Sequence, residues 1–185
     1  MNIHVVTPEQ LLEFWFSERV RKLWFRSTPE FDQEITNRFE ATWQAAGEGK
    51  LSDWEDTPEG ALALVIVLDQ LPLNMYRGQA ISFSTEAASR DVASRAIERG
   101  FDVQLTDDRK AFLYTSFMHS EHISDQNRSV ELYRQAGLMD GLKWARHHRK
   151  IVQQFGRFPH RNAILGRENT EQETSYLNSS DAFLG

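Results

Sequence analysis

The sequence predicts an all-α protein, and three observations carry that expectation. Thr-Pro-Glu recurs at residues 7–9, 28–30 and 57–59, each time placing a capping hydroxyl and a first-turn proline before an apolar segment. Behind these starts, apolar residues return at spacings of three and four. Strand signals do not recur in the same way.

The elements follow in order. Thr7 with Gln10 forms a capping box that opens LLEFWF. The second start leads into Phe31, Ile35, Phe39, Trp43 and Ala46, an amphipathic stripe ended by Gly47 and Gly49. The third opens ALALVIVLDQL, apolar on nearly every face and so a buried central helix or a buried strand; its Ala and Leu content, Thr-Pro-Glu cap and length favour the helix, with Pro72 expected to close it. A helix over 84–99, stopped by Gly100, is expected to turn Ala88, Val92, Ala96 and Ile97 inward. Thr106-Asp107-Asp108 caps a segment carrying Phe112, Leu113 and Phe117, and Ser124 is expected to cap the next, with Val130, Tyr133 and Ala136 inward. Residues 139–154 read as a basic helix stopped by Gly156, with Trp144, His148, Ile151 and Phe155 on one face. Thr170-Glu171-Gln172-Glu173 caps a short last helix. The expectation is seven or eight helices in a single domain over residues 1–185.

Composition narrows the class. With 185 residues, 40% hydrophobic, and 12 Phe, 5 Trp and 4 Tyr, the chain has the material for a core without staples. It has no cysteine, which excludes disulfides, thiolate metal sites and a cysteine nucleophile, and fits a cytoplasmic location. The start, MNIHVVTPEQ, lacks the charged and apolar regions of a secretory signal. The longest apolar run, ALALVIVL, is too short for a bilayer, which needs about 20 residues. A soluble protein with no membrane partner is expected. The net charge of −6 argues against nucleic acid as a partner. That charge is unevenly spread. Residues 141–167 contain no Asp or Glu but seven Lys or Arg, leaving 14 basic against 27 acidic residues elsewhere.

Three stretches concentrate polar groups. In LDQLPLN, residues 68–74, with Arg77 beyond, Asp69 and Gln70 follow a run of apolar residues. A carboxylate buried there needs a partner, although Asp69, Gln70 and Asn74 as capping groups around Pro72 would answer equally. In FMHSEH, residues 117–122, His119, Ser120 and Glu121 lie together. A Ser-His-Glu triad fits poorly, because neighbouring helical residues diverge and no Gly-x-Ser-x-Gly elbow is present. The histidine-carboxylate spacings are not those of a helical metal pair, so no metal site is assigned, and a solvated loop is the plain alternative.

The third stretch is the basic helix with FGRFPHRN, residues 155–162. His148 falls in the core stripe, as a hydrogen-bonded core histidine would, while His147 points off it. Phe158-Pro159 biases the backbone away from helix, so His160, Arg161 and Asn162 are expected to be displayed beyond it. Cations after a helix C-terminus are ordinary. Arg157, His160, Arg161 and Asn162 together are denser than that requires, and offer an anion two guanidinium forks with imidazole and amide donors.

These motifs in this order, LDQLPLN, MHSE, His148 seven residues before Phe155, FGRFPHRN, and LGR followed by Thr-x-x-Glu, resemble the bacterial domain-of-unknown-function family numbered 924. The early FWF at 14–16 fits as well, and the likeness runs from about residue 10 to residue 177. It implies a tetratricopeptide-like helical fold and no assigned activity. It further implies that Asp69, Gln70, Asn74, Arg77, His119, Ser120, Glu121, His148, Arg157, His160, Arg161 and Asn162 belong together. The chain departs from the family pattern in having Leu73 in place of Arg, Leu71 in place of Phe and Ser116 in place of Pro.

Two functions follow as expectations. One is a pocket for a small anionic molecule, a phosphate or carboxylate. Asp69, Gln70, Asn74, Arg77, Arg157, Arg161 and Asn162 would bind it, and His119, Glu121, His148 and His160 would serve acid-base chemistry. The other is a helical module that receives an acidic peptide, its polar motifs forming a structural network. Neither the cofactor, if any, nor the oligomeric state is legible in the residues.

Overall fold

A computed structural model describes residues 4–185. Among these the chain forms nine α-helices and no strand: α1 (Pro8–Trp15), α2 (Glu18–Arg21), α3 (Pro29–Gly47), α4 (Pro58–Met75), α5 (Glu86–Glu98), α6 (Asp107–Met118), α7 (Ile123–Gln135), α8 (Met139–Phe155) and α9 (Glu171–Leu177). Short 3₁₀ turns join several of them. No described helix is long and apolar enough to cross a membrane. The helices gather in two compact units: residues up to Arg77 with Ile81–Ser116, and Gly78–Ala80 with Phe117–Gly185.

In the first unit α4 is the centre, packed against α1, α3 and α5. Every residue from Gly60 to Asp69 is buried. Each fully buried Leu, Ile or Val there contributes roughly 1.5–3 kcal/mol relative to exposure. The three Thr-Pro-Glu starts behave as expected, with Thr7, Thr28 and Thr57 each accepting a first-turn backbone N–H. Phe31, Ile35, Phe39, Trp43 and Ala46 all turn inward from α3.

Two expectations in this unit are corrected. Pro72 does not close α4; the helix continues to Met75 with the proline inside it. A proline deprives the carbonyl four residues earlier of its N–H partner. Here Thr85 Oγ donates to that carbonyl, Leu68 O, at 2.6 Å, and accepts from Trp43 Nε1 at 3.0 Å, so the ladder is mended from outside. On α5, Ala88 faces outward and Ile97 is only half buried, while Ser89 is buried with its hydroxyl on Val65 O. The stripe runs through Ser89, Val92, Ala93 and Ala96 instead.

In the second unit α7 and α8 form a packed pair across the short connection 136–138. Gly141 permits their approach, since a Cβ there would meet the Tyr133 ring at 2.3 Å. Gly156 ends α8 in the left-handed conformation, φ 72°, as the sequence predicts. Trp144, expected inward, is 51% exposed, whereas His148, Ile151 and Val152 fill the buried face. Ser124 is not the cap of α7; that position belongs to His122, one residue before Ile123. The hydroxyl that organises this turn is Ser120, which donates to Asp125 Oδ2 at 2.6 Å and accepts from His122 N at 3.1 Å.

Candidate functional site

The first unit holds four of the candidate residues. Asn74 Nδ2 donates to Asp32 Oδ1 at 2.7 Å and to Ser27 Oγ at 3.1 Å. Arg77 grips the same carboxylate, Nε to Oδ2 at 2.8 Å and Nη2 to Oδ1 at 3.2 Å. Partial burial pushes the Asp32 pKa up, but Arg77, Asn74 and Ser27 outweigh it and hold the carboxyl below its ordinary value. Asn74 and Arg77 thus tie the end of α4 to the start of α3. Gln70 donates to Asp69, which is fully buried. Carboxylate oxygens of Asp69 and Glu86, both on buried side chains, lie within 4.8 Å of one another, an acidic pair of the kind that can hold a cation.

The second unit holds the rest. His119 follows α6 and is half buried; Gln126 fixes the turn after it by donating to Met118 O at 2.6 Å and Ser120 O at 2.7 Å. Glu121 is held by Arg167 through two bonds, at 2.7 and 2.9 Å, and accepts from Phe158 N at 2.8 Å. Partial burial raises its pKa, while Arg167, the Phe158 amide and the nearby charge of Arg161 bring it below the usual carboxylate value. Arg157 is engaged in the same manner, with Nε on Glu173 Oε1 at 2.7 Å and Nη2 on Oε2 at 2.8 Å. Glu173 also completes the capping box of α9 through Thr170, and these partners hold it at about 2, the Arg157 hydrogen bond first among them.

FGRFPHRN is not the displayed segment that the sequence predicts. Pro159–Arg161 close a 3₁₀ turn, Arg161 is 6% exposed and Asn162 fully buried. The Arg161 guanidinium lies 4.9 Å over the Phe158 ring, and Asn162 Nδ2 donates to Asn169 Oδ1 at 2.7 Å.

His148 and His160 meet around two phenylalanines. Each imidazole lies 5.6 Å from the Phe158 ring, and Phe183 stands 4.7 Å from His148 and 5.1 Å from His160. His148 Nδ1 is 2.9 Å from Trp144 O; a carbonyl only accepts, so Nδ1 carries the hydrogen and Nε2 keeps its lone pair. Burial depresses the His148 pKa to about 3, with the neighbouring His119, His147 and His160 adding to it against the Trp144 bond. His160 is brought to about 4 by burial first and by Arg161 next, Arg167 and His119 also lowering it while Glu121 opposes. Both imidazoles are neutral bases at pH 7. Nδ1 of His160 is buried without a hydrogen-bond partner among the described residues.

Two shallow surface depressions stand out elsewhere. Pro29, Gln33 and Arg38 line one; Gln154, Glu171 and Tyr176 line the other. None of the candidate residues lines either. The histidines are packed about Phe183. The sequence missed Phe183, Arg167 and Gln126 as members of this neighbourhood. Arg167 was visible only as one of the seven basic residues of 141–167 and inside the LGR motif, and nothing local marks Phe183.

The molecule is thus an all-helical protein whose second unit buries neutral histidines beside arginine. The chain belongs to the family of bacterial proteins of unknown function designated DUF924, whose model matches residues 11–181. It is similar to a solved structure of a protein of unknown function, ATU0120 from Agrobacterium tumefaciens. The two are 38% identical, with a TM-score of 0.88, over 92% of this chain and 96% of that one. No curated protein matches the chain.

Proposed function

We propose that the second unit binds a small anionic ligand, a phosphate or carboxylate, at the buried face of His160 and Arg161, with His148 and His160 as neutral imidazoles able to take or pass a proton. The observation that carries this reading is the buried, unpartnered Nδ1 of His160 next to Arg161. A buried polar nitrogen without a partner costs about 1–3 kcal/mol, which a ligand would relieve. The field points the same way. Two guanidiniums, Arg161 and Arg167, act on His160 against the single carboxylate of Glu121. An anion placed there would raise the basicity of both imidazoles.

Glu121 and Arg157 take a different role in this reading from Arg161. Their ion pairs with Arg167 and Glu173 make them the frame that holds the site. Those same pairs favour the second reading, a tetratricopeptide-like module whose polar motifs are structural and whose basic helix α8 receives an acidic peptide.

Thermal unfolding with inorganic phosphate and short carboxylates distinguishes the two. The ligand-site reading expects a rise in Tm equivalent to about 2.7 kcal/mol at a hundred times Kd, abolished in Arg161→Gln. Stabilisation by an acidic peptide but by no small anion would favour the module.

A further inference from the structure

Phe183 belongs to a segment that is lightly held. Residues 182–185 have no regular structure, and Leu184 is 72% exposed. The segment is anchored by the bond from Phe183 N to Tyr176 Oη at 2.9 Å and by a turn in which Ala182 N donates to Ser179 O at 3.3 Å. Yet the Phe183 ring is surrounded. It meets His147 at 5.6 Å, His148 at 4.7 Å and His160 at 5.1 Å, all edge to face. It also packs on the buried cluster of Ile151, Val152 and Phe158. The imidazoles that the proposed chemistry needs are therefore covered by one aromatic ring from a weakly tethered strap.

The end of the strap also comes near His160. A Cβ added at Gly185 would lie 3.2 Å from His160 Cδ2 and 3.3 Å from Nε2. The strap thus sets a planar ring against the histidines, and its end lies close to the His160 imidazole.

We infer that Phe183 is an internal stand-in for the ligand, and that the site takes an aryl anion: a planar ring in the Phe183 position carrying a phosphate or carboxylate toward His160 and Arg161. This deepens the ligand-site reading above and rests on it. Edge-to-face ring contacts add to affinity beyond the burial of the ring, which separates an aryl anion from a bare one. The strap is then a competitor. Its ring occupies the aryl position until a ligand displaces it, and the apparent affinity of the intact protein is lowered by the fraction of time the strap is seated.

Calorimetric titration of the whole chain and of Phe183→Ala with phenyl phosphate and with inorganic phosphate tests this. The inference expects phenyl phosphate to bind Phe183→Ala at least ten-fold more tightly than it binds the unaltered chain. It also expects that variant to prefer phenyl phosphate over inorganic phosphate by at least ten-fold. Equal affinities for the two probes, unchanged by the substitution, would overturn the aryl position while leaving the anion site standing. Binding of neither probe to either protein would overturn the anion site itself. Tyr176→Phe provides a second route should Phe183→Ala fail to fold. It keeps the ring that packs on Phe155 and removes the hydroxyl that anchors Phe183 N. About a three-fold gain for phenyl phosphate is expected, and no gain would count against the strap as competitor.

Discussion

Arg167 holds Glu121 through two parallel hydrogen bonds, at 2.7 and 2.9 Å, and so joins the turn after α6 to the segment after FGRFPHRN. The pair is about three-quarters buried, and Glu121 also receives the Phe158 amide. Removing one partner leaves the other charge poorly solvated, which is where the cost of breaking such a pair lies. Glu121→Gln and Arg167→Met are each expected to lose about 1–3 kcal/mol, and the double variant little more than either alone. Urea unfolding of the four proteins measures this. Independent, additive losses would contradict the pairing.

The mended break in α4 gives a second prediction. Thr85→Val removes the donor to Leu68 O and the acceptor for Trp43 Nε1, and is expected to cost about 2–3 kcal/mol. In a Pro72→Ala background the backbone N–H returns to Leu68 O, so the same substitution should cost measurably less. An unchanged cost would mean that the hydroxyl is not compensating for the proline.

Acid sensitivity follows from the histidines. Their folded pKa values, about 3 for His148 and about 4 for His160, lie below the unfolded value of about 6.5. Between those limits the unfolded chain binds more protons. Stability from these groups is complete above pH 6.5 and declines as pH falls toward the folded values. The slope is up to about 1.4 kcal/mol per pH unit for each group, and less for the partly exposed His160. Glu173 adds a lower window, its stabilisation present above about 4.5 and lost as pH falls toward 2. Equilibrium unfolding at stepped pH checks this, and His148→Gln should flatten the upper limb.

The all-α fold and most helix starts were legible because caps and stripes are local. Thr7, Thr28, Thr57 and Thr170 need only their own first turns to declare themselves. What failed depends on distant chain. Pro72 looked like a stop because its compensating hydroxyl is Thr85, thirteen residues on and on another segment. Trp144 looked inward because spacing fixes a face but not how wide that face is. The polar motifs were visible as unusual clusters, but the sequence could not say which charges pair. Arg157 and Arg161 looked equivalent, yet Arg157 grips Glu173 at the edge of the unit, whereas Arg161 is buried over the Phe158 ring. The Phe183 contacts with His147, His148 and His160 bridge 36, 35 and 23 residues, and no periodicity records them.

The central claim is that an anion settles beside His160. Side-chain NMR titration of the histidines, with and without saturating inorganic phosphate, tests it most directly. Without ligand the His160 imidazole is expected to titrate near 4. With phosphate bound its pKa should rise to about 5 or above, because the anion's charge favours the imidazolium and its oxygens accept a hydrogen bond from the protonated nitrogen. A His160 titration curve that phosphate leaves unmoved, in a protein that remains folded, would contradict the account.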